Sequence, residues 1–298
     1  MFSIGNTIGA GIFAMTGVAA QYAGPSLFLS FLFAGGIAMT TAMMLAELSS
    51  RIRTNGSAFS YTYATMGELP AWVVGWNLNL RYGLCSAGLA RGMTSYFVGL
   101  FAKFGAPLPT WMYSMSFFGA EKCSILSIIF LLVLHLIYIR GTEESKIFNM
   151  VFTVLKLLTL LFIIVVALAK FDSDNFSPFV LDEHDGWAGS FYATTLIFYG
   201  YTGFDIVTTL TQEAQKPSKN VPLAIKASSL ICMCLYALTA FALYGMAPLQ
   251  NFNAETAMAD AFASVGLEKI SFVVYFCAFF GITAACFTNL ISQPRILQ

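Results

Sequence analysis

Three glycines stand within the stretch IGNTIGAGIF, Ile4 to Phe13, which is otherwise apolar enough to be a membrane helix. Each glycine costs roughly 1 kcal/mol against alanine in a helix interior. A helix weakened in this way can open, and an opened turn has chemistry of its own. The N–H groups at a half-helix N-terminus suit an anion, and the freed carbonyls of the other half-helix suit a cation. The stretch FYGYTGFDIVTT, Phe198 to Thr209, repeats the pattern, with Gly200 and Gly203 followed by Asp205. Two more charges lie deep in apolar surroundings, Lys156 within NMVFTVLKLL and Arg81 within WNLNLRY. A charge at mid-membrane costs roughly 2.5–3.5 kcal/mol on insertion scales unless it is paired or faces water, so each is a candidate for function. Plainer readings stand beside these. Gly5 and Gly9 form a small-xxx-small pair suited to close helix packing. Lys156 snorkels if it can reach the interface, although mid-span is a poor place to do so. Asp205 serves equally as a structural hydrogen-bond partner for a neighbouring helix.

The elements that must position these residues follow from composition. The chain is 58% hydrophobic and 10% charged over 298 residues, where a soluble domain carries about 25% charged residues. Runs of about 20 apolar residues cross a ~30 Å hydrocarbon core. Such runs are read at 2–23, 25–48, 72–101, 123–140, 147–169, 189–210, 223–247 and 268–292. Strand-period alternation is absent, which excludes a transmembrane barrel. The expectation is an all-α integral membrane protein of about eight helices, with helices one and six broken.

Charge sets the expected orientation. With the N-terminus inside, the inner segments hold Arg51, Arg53, Arg140, Lys146, Lys216, Lys219, Lys226 and Arg295, against Lys103, Lys122, Lys170 and Lys269 outside. The positive-inside rule then places both termini on the cytoplasmic side. The loop 171–186, with Asp172, Asp174, Asp182, Glu183 and Asp185, reads as a solvated outer loop. Span length leaves the target membrane open.

Other function classes find little support. Five of the six cysteines fall inside spans, and Cys232 and Cys234 are two apart, so neither disulfides nor a metal site is expected. His135 and His184 form no catalytic constellation, no ring of filter residues suggests a channel, and the lysines of KPSKNVP follow from topology rather than nucleic-acid binding. No enzyme activity and no cofactor is expected.

Two broken helices five spans apart fit a different architecture. Transporters built from inverted five-helix repeats place their discontinuous helices at matching positions in each repeat. Unpaired backbone groups at that depth are tolerated where they line a cavity. An α-amino acid carries the carboxylate and ammonium that two such breaks recognise.

At these residues the chain resembles the amino acid, polyamine and organocation transporters. IGNTIGAGIF is similar to their first-helix signature, and FYGYTGFDIVTTLTQEAQKPSKNVP to the sixth-helix signature of the cationic amino acid transporter branch. AELSSRIRTNGSAFSYTYATMGELPAWVVGW, GTEESKIFN and SQPRIL follow in order. The resemblance implies a LeuT-type inverted-repeat fold, with 1–170 as the first five-helix repeat and 187–298 as part of the second. It implies amides at Ile8, Gly9, Ala10 and Gly11 for a substrate carboxylate, and carbonyls at Tyr199, Gly200 and Thr202 for its amine, with Phe198 or Tyr199 as an aromatic lid. It makes Lys156 the amine that replaces bound sodium in sodium-independent relatives, leaving proton coupling or exchange. Arg81 stands where many bacterial relatives carry an acidic residue. Arg91 in span three resembles an arginine of the cationic branch, expected to act as a structural charge partner, and Glu47 is expected at the membrane interface.

The core of that family has ten spans, so the resemblance also implies an incomplete fold ending with span eight at Gln298. Three expectations follow: a fragment of a transporter, a core completed by a membrane protein partner, or a non-transporting subunit of a larger complex. The substrate expected is a cationic or neutral L-amino acid, and the other expected contact is membrane lipid.

Overall fold

The computed structural model describes every residue except Met1, Arg53, Asn55, 118–119, 141–142, 182–185, Gln215 and Gln298. The first apolar run is α1 (Phe2–Thr7), α2 (Ala10–Phe13) and α3 (Met15–Ala23). A 3₁₀ turn at Gly24–Ser26, with Pro25 near its start, leads into α4 (Leu27–Arg51). Then come α5 (Ser57–Met66) and the long α6 (Glu68–Lys103). A short antiparallel hairpin, β1 (Met115–Phe117) with β2 (Ala120–Cys123), precedes α7 (Ile125–Arg140) and α8 (Glu143–Ala169). The second half holds α9 (Trp187–Tyr201), a 3₁₀ segment Phe204–Glu213, α10 (Pro217–Met246), α11 (Ala257–Ser264) and α12 (Glu268–Leu297).

Each of the eight apolar runs expected from sequence carries an α-helix, with the runs 2–23 and 189–210 interrupted. Among the described residues four helical stretches, Gly11–Arg51, Met150–Ala169, Pro217–Met246 and Glu268–Pro294, are long and apolar enough to cross a membrane, and Ile125–Ile139 is a shorter apolar helix. Gly11–Arg51 has 41 residues, about twice one crossing, and it turns at Gly24–Ser26. Leu84, Val165 and Leu223 are among many large apolar side chains exposed on the outer faces, as expected where lipid replaces water as the solvent. The apolar-run reading passed over α5 and α11, which are too short to cross and rich in Ser, Thr and Ala.

Helix contacts divide the molecule into two groups. In one, α10 lies along α4, and α9 packs on α3 and α4. In the other, α12 lies along α6, and α7 packs on α6 and α12, while α8 packs alike on α10 and α12 and joins the two groups. Between them α1 touches α8, α10, α12 and the 3₁₀ segment, so the first helix break sits where the groups meet.

Arg53, His184 and the acidic residues of 182–185 lie outside the described residues, as do the first two residues of GTEESKIFN.

Candidate functional site

Both breaks fall where the glycines stand. Helix α1 ends with Thr7, Ile8 and Gly9 leave the helical path, and α2 resumes at Ala10. Helix α9 ends at Tyr201, Thr202 is extended (φ −67°, ψ 131°), and Gly203 turns the chain with φ 138°. A side chain at that φ is strained, so Gly203 is the residue that lets the chain continue as a ten-residue 3₁₀ segment. A run of that length is unusual and marks departure from α geometry in mid-span.

The two breaks press against each other. A Cβ built on Gly11 would lie 2.2 Å from the Cα of Gly200, and one on Gly200 would lie 2.7 Å from the Cα of Gly11. Backbone meets backbone there, which no larger residue permits. Beside the contact is a cavity of about 20 Å³ lined by Asn6, Thr7, Gly11, Cys85, Leu89, Tyr199, Gly200, Thr202 and Asn289. That is far below the ~300–1,000 Å³ of a ligand pocket, so the space between the breaks is too small for a ligand as it stands. The side-chain oxygen Oδ1 of Asn6, a residue 5% exposed, has no hydrogen-bond partner among the described residues.

Backbone carbonyls at the ends of α1 and α2 are already held. The Nζ of Lys156, a residue 1% exposed, donates to the Gly5 carbonyl at 2.5 Å. The hydroxyl of Tyr236 donates to the Thr7 carbonyl at 2.6 Å, and that of Tyr96 to the Phe13 carbonyl at 2.6 Å. An ammonium against the last turn of α1 also complements the negative end of that helix dipole. At the second break the Tyr199 carbonyl accepts from the Thr202 amide at 3.1 Å and its hydroxyl at 2.6 Å.

Arg81 and Asp205 form one unit. The guanidinium donates from both terminal nitrogens to the two carboxylate oxygens, at 2.6 and 2.8 Å, and the Tyr82 hydroxyl adds a third bond at 3.2 Å. The side chains are 29% and 9% exposed. Bidentate geometry of this kind is the strong form of an ion pair. It joins α6 to the 3₁₀ segment one helical turn from Cys85 and three residues from Thr202, both of which line the cavity.

A larger cavity of about 450 Å³ lies further along α6, lined by Arg91, Ser95, Glu255, Asp260 and Tyr275 among others. Arg91 Nε faces Glu255 Oε1 at 3.4 Å, Ser95 donates to the other oxygen of Glu255, and Asp260 accepts from Tyr275 at 2.6 Å and Thr256 at 2.8 Å. Between the two cavities Phe13 packs edge-on against Tyr96, and Tyr96 against Tyr275.

A family model described as amino acid permease matches residues 1–298. The chain belongs to the amino acid permease family. It is 35% identical to the methylthioribose transporter of Bacillus subtilis, over 99% of this chain and 64% of that protein. It is 33% identical to the chloroplastic cationic amino acid transporter 9 of Arabidopsis thaliana, over 99% of this chain and 52% of that protein. The branched-chain amino acid permease BcaP of Bacillus subtilis is 31% identical, over 100% of this chain and 64% of that protein. The chain thus spans about half to two thirds of the length of these relatives.

Within this permease chain, Gly11, Tyr199, Gly200 and Thr202 of the expected substrate residues line the cavity. Ile8 is fully buried in the core, and Gly9 faces α12, where an added Cβ would lie 2.7 Å from that of Ala285. Ala10 opens α2. Phe198 is exposed on the bundle surface and lines neither cavity, because one residue along a helix turns a side chain by about 100°; Tyr199 takes the inward position. Asn6, Thr7, Cys85, Leu89 and Asn289 were not singled out by the sequence reading. The Asn6 signal was present there, as a polar amide in an apolar span. Glu47 pairs with Arg51 at 2.6 Å on an exposed helix end.

Proposed function

We propose that this chain binds an α-amino acid between the two helix breaks and carries it across the membrane by alternating access. The observation that supports this best is the convergence of the breaks, Gly11 on Gly200, at a small cavity with the Asn6 oxygen, unpartnered among the described residues, in its wall. The substrate carboxylate goes to the amides of the first break and the ammonium to Asn6 and the carbonyls of the second. Binding requires the breaks to separate, since the cavity as it stands is too small for any amino acid. The larger cavity along α6 is the vestibule, and Phe13, Tyr96 and Tyr199 form the barrier below it. Helices α1 to α4, α9 and α10 then tilt against α6, α7 and α12 to open the other side, with both termini cytoplasmic, 1–170 acting as the first repeat and 187–298 as part of the second. Lys156 supplies the positive charge at the Gly5 carbonyl that a sodium ion would otherwise supply, so transport is sodium-independent and runs by proton coupling or exchange.

The relatives are named for cationic amino acids, branched-chain amino acids and methylthioribose. Two of the three classes carry the α-amino acid group that the breaks fit. The test is uptake of radiolabelled leucine and arginine into liposomes holding the purified chain, in sodium and in choline buffer. Saturable uptake that is equal in the two buffers supports the reading. Absence of both uptake and binding by folded protein overturns it and favours a non-transporting membrane subunit.

A further inference from the structure

We infer that the Arg81–Asp205 pair sets the substrate class, restricting the proposed site to amino acids with uncharged side chains; this rests on the reading of the cavity as an amino acid site. The helix breaks meet the α-carboxylate and α-ammonium, which every amino acid shares, so discrimination must come from the groups beside the side chain. A cationic side chain taken out of water at this depth needs a carboxylate, because an unpaired buried charge is strongly disfavoured. Within the elements that line the cavity, the acidic residues are Glu68 and Glu268 in the first turns of α6 and α12, Glu213 at the end of the 3₁₀ segment, and Asp205. Among the described side chains Asp205, three residues from the cavity-lining Thr202, is the acid nearest the cavity in sequence, and both of its oxygens are already taken by Arg81, with Tyr82 adding a third bond.

The pair therefore presents no net charge to the site. A lysine or arginine side chain would have to displace Arg81 from Asp205. The displaced guanidinium would then be left without its acceptor in a region where its own Nε is already buried and has no partner among the described residues. The side chains that line the cavity, Leu89, Cys85 and the Tyr199 ring beside the uncharged polar Asn6, Thr7, Thr202 and Asn289, carry no charge to pair with a cationic substrate side chain. Arg81 is a specificity residue on this account: it neutralises a carboxylate that would otherwise attract cations.

The experiment is competition against radiolabelled leucine, and direct binding of radiolabelled arginine, on the purified full chain in nanodiscs. The parent is expected to bind leucine, with arginine weaker by roughly 100-fold or more. Arg81→Gln, which keeps a donor and frees the carboxylate, is expected to shift the arginine-to-leucine ratio toward arginine by at least about tenfold. The double variant Arg81→Gln/Asp205→Asn, which has neither charge, is expected to return the ratio toward leucine. Arginine binding by the parent within about tenfold of leucine overturns the inference alone, and so does a folded Arg81→Gln with an unchanged ratio. If Arg81→Gln does not fold, the parent's ratio and the double variant decide. No amino acid binding by folded parent overturns the amino acid site itself, and this inference with it.

Discussion

Gly11→Ala is the sharpest perturbation of the contact between the breaks. Its Cβ would sit 2.2 Å from the Gly200 Cα, 2.7 Å from its carbonyl oxygen and 2.8 Å from its carbonyl carbon. Ordinary carbon contacts lie at about 3.5–4.0 Å, so the two backbones must part by more than about 1 Å. No flexible side-chain end can yield, because every atom met is backbone. Overpacking of this kind costs about 1–3 kcal/mol, and the upper half of that range applies between two rigid backbones. Alanine's better helix propensity returns at most about 1 kcal/mol, leaving a net loss of about 1–2 kcal/mol. That is a factor of about 5–30 in the folded population. Gly36→Ala is the control: its added Cβ meets nothing within 4 Å on the exposed face of α4, so it should match or exceed the parent. Thermal unfolding of detergent-solubilised protein, followed by fluorescence-detected size exclusion, gives the order of the three. Leucine binding on the same samples should weaken in Gly11→Ala, whose breaks cannot close fully. If Gly11→Ala melts with the parent and binds as well, the breaks do not meet as described and the reasoning fails.

The ion pair gives a second test. Arg81→Leu alone leaves Asp205 buried and unpaired and should cost about 3–5 kcal/mol, whereas Arg81→Leu/Asp205→Leu should be near neutral; equal losses in the two, measured by the same melts, would show that the pair does not couple. Tyr236→Phe removes the donor to the buried Thr7 carbonyl and should destabilise by about 1–3 kcal/mol, while an unchanged melt would mean that this carbonyl finds another donor. Lys156→Met should likewise destabilise by exposing the Gly5 carbonyl to an apolar site, and a variant as stable as the parent would remove the lysine from the first break. Phe198→Ala should leave leucine binding within about twofold because Phe198 is a surface residue, and Tyr199→Ala should weaken it by at least about tenfold because Tyr199 walls the cavity; the reverse order would put the lid where the sequence resemblance first allowed it.

The sequence by itself determined where helices run and where two of them fail. Apolar runs of about 20 residues admit one solution in lipid, because a backbone without water must satisfy its own hydrogen bonds. The second break is equally local, since Gly203, at φ 138°, acts through conformational freedom that needs no neighbour to be read, whereas Gly9 is held to glycine by its approach to Ala285. The short α5 and α11 lacked that length signal.

Tertiary structure alone decided the partners. Arg81 and Asp205 are 124 positions apart, Lys156 and Gly5 are 151 apart, and Tyr236 and Thr7 are 229 apart. Each was legible as a polar group that had to find a partner in an apolar span, yet the partner depends on how far each helix rotates about its axis and where it crosses the next. The same rotation put Tyr199 inward and Phe198 outward, and laid Gly11 on Gly200. Lipid is as apolar as the side chains facing it, so hydrophobicity cannot fix that rotation. Close packing at small residues and the pairing of buried polar groups fix it, and both are properties of two helices together.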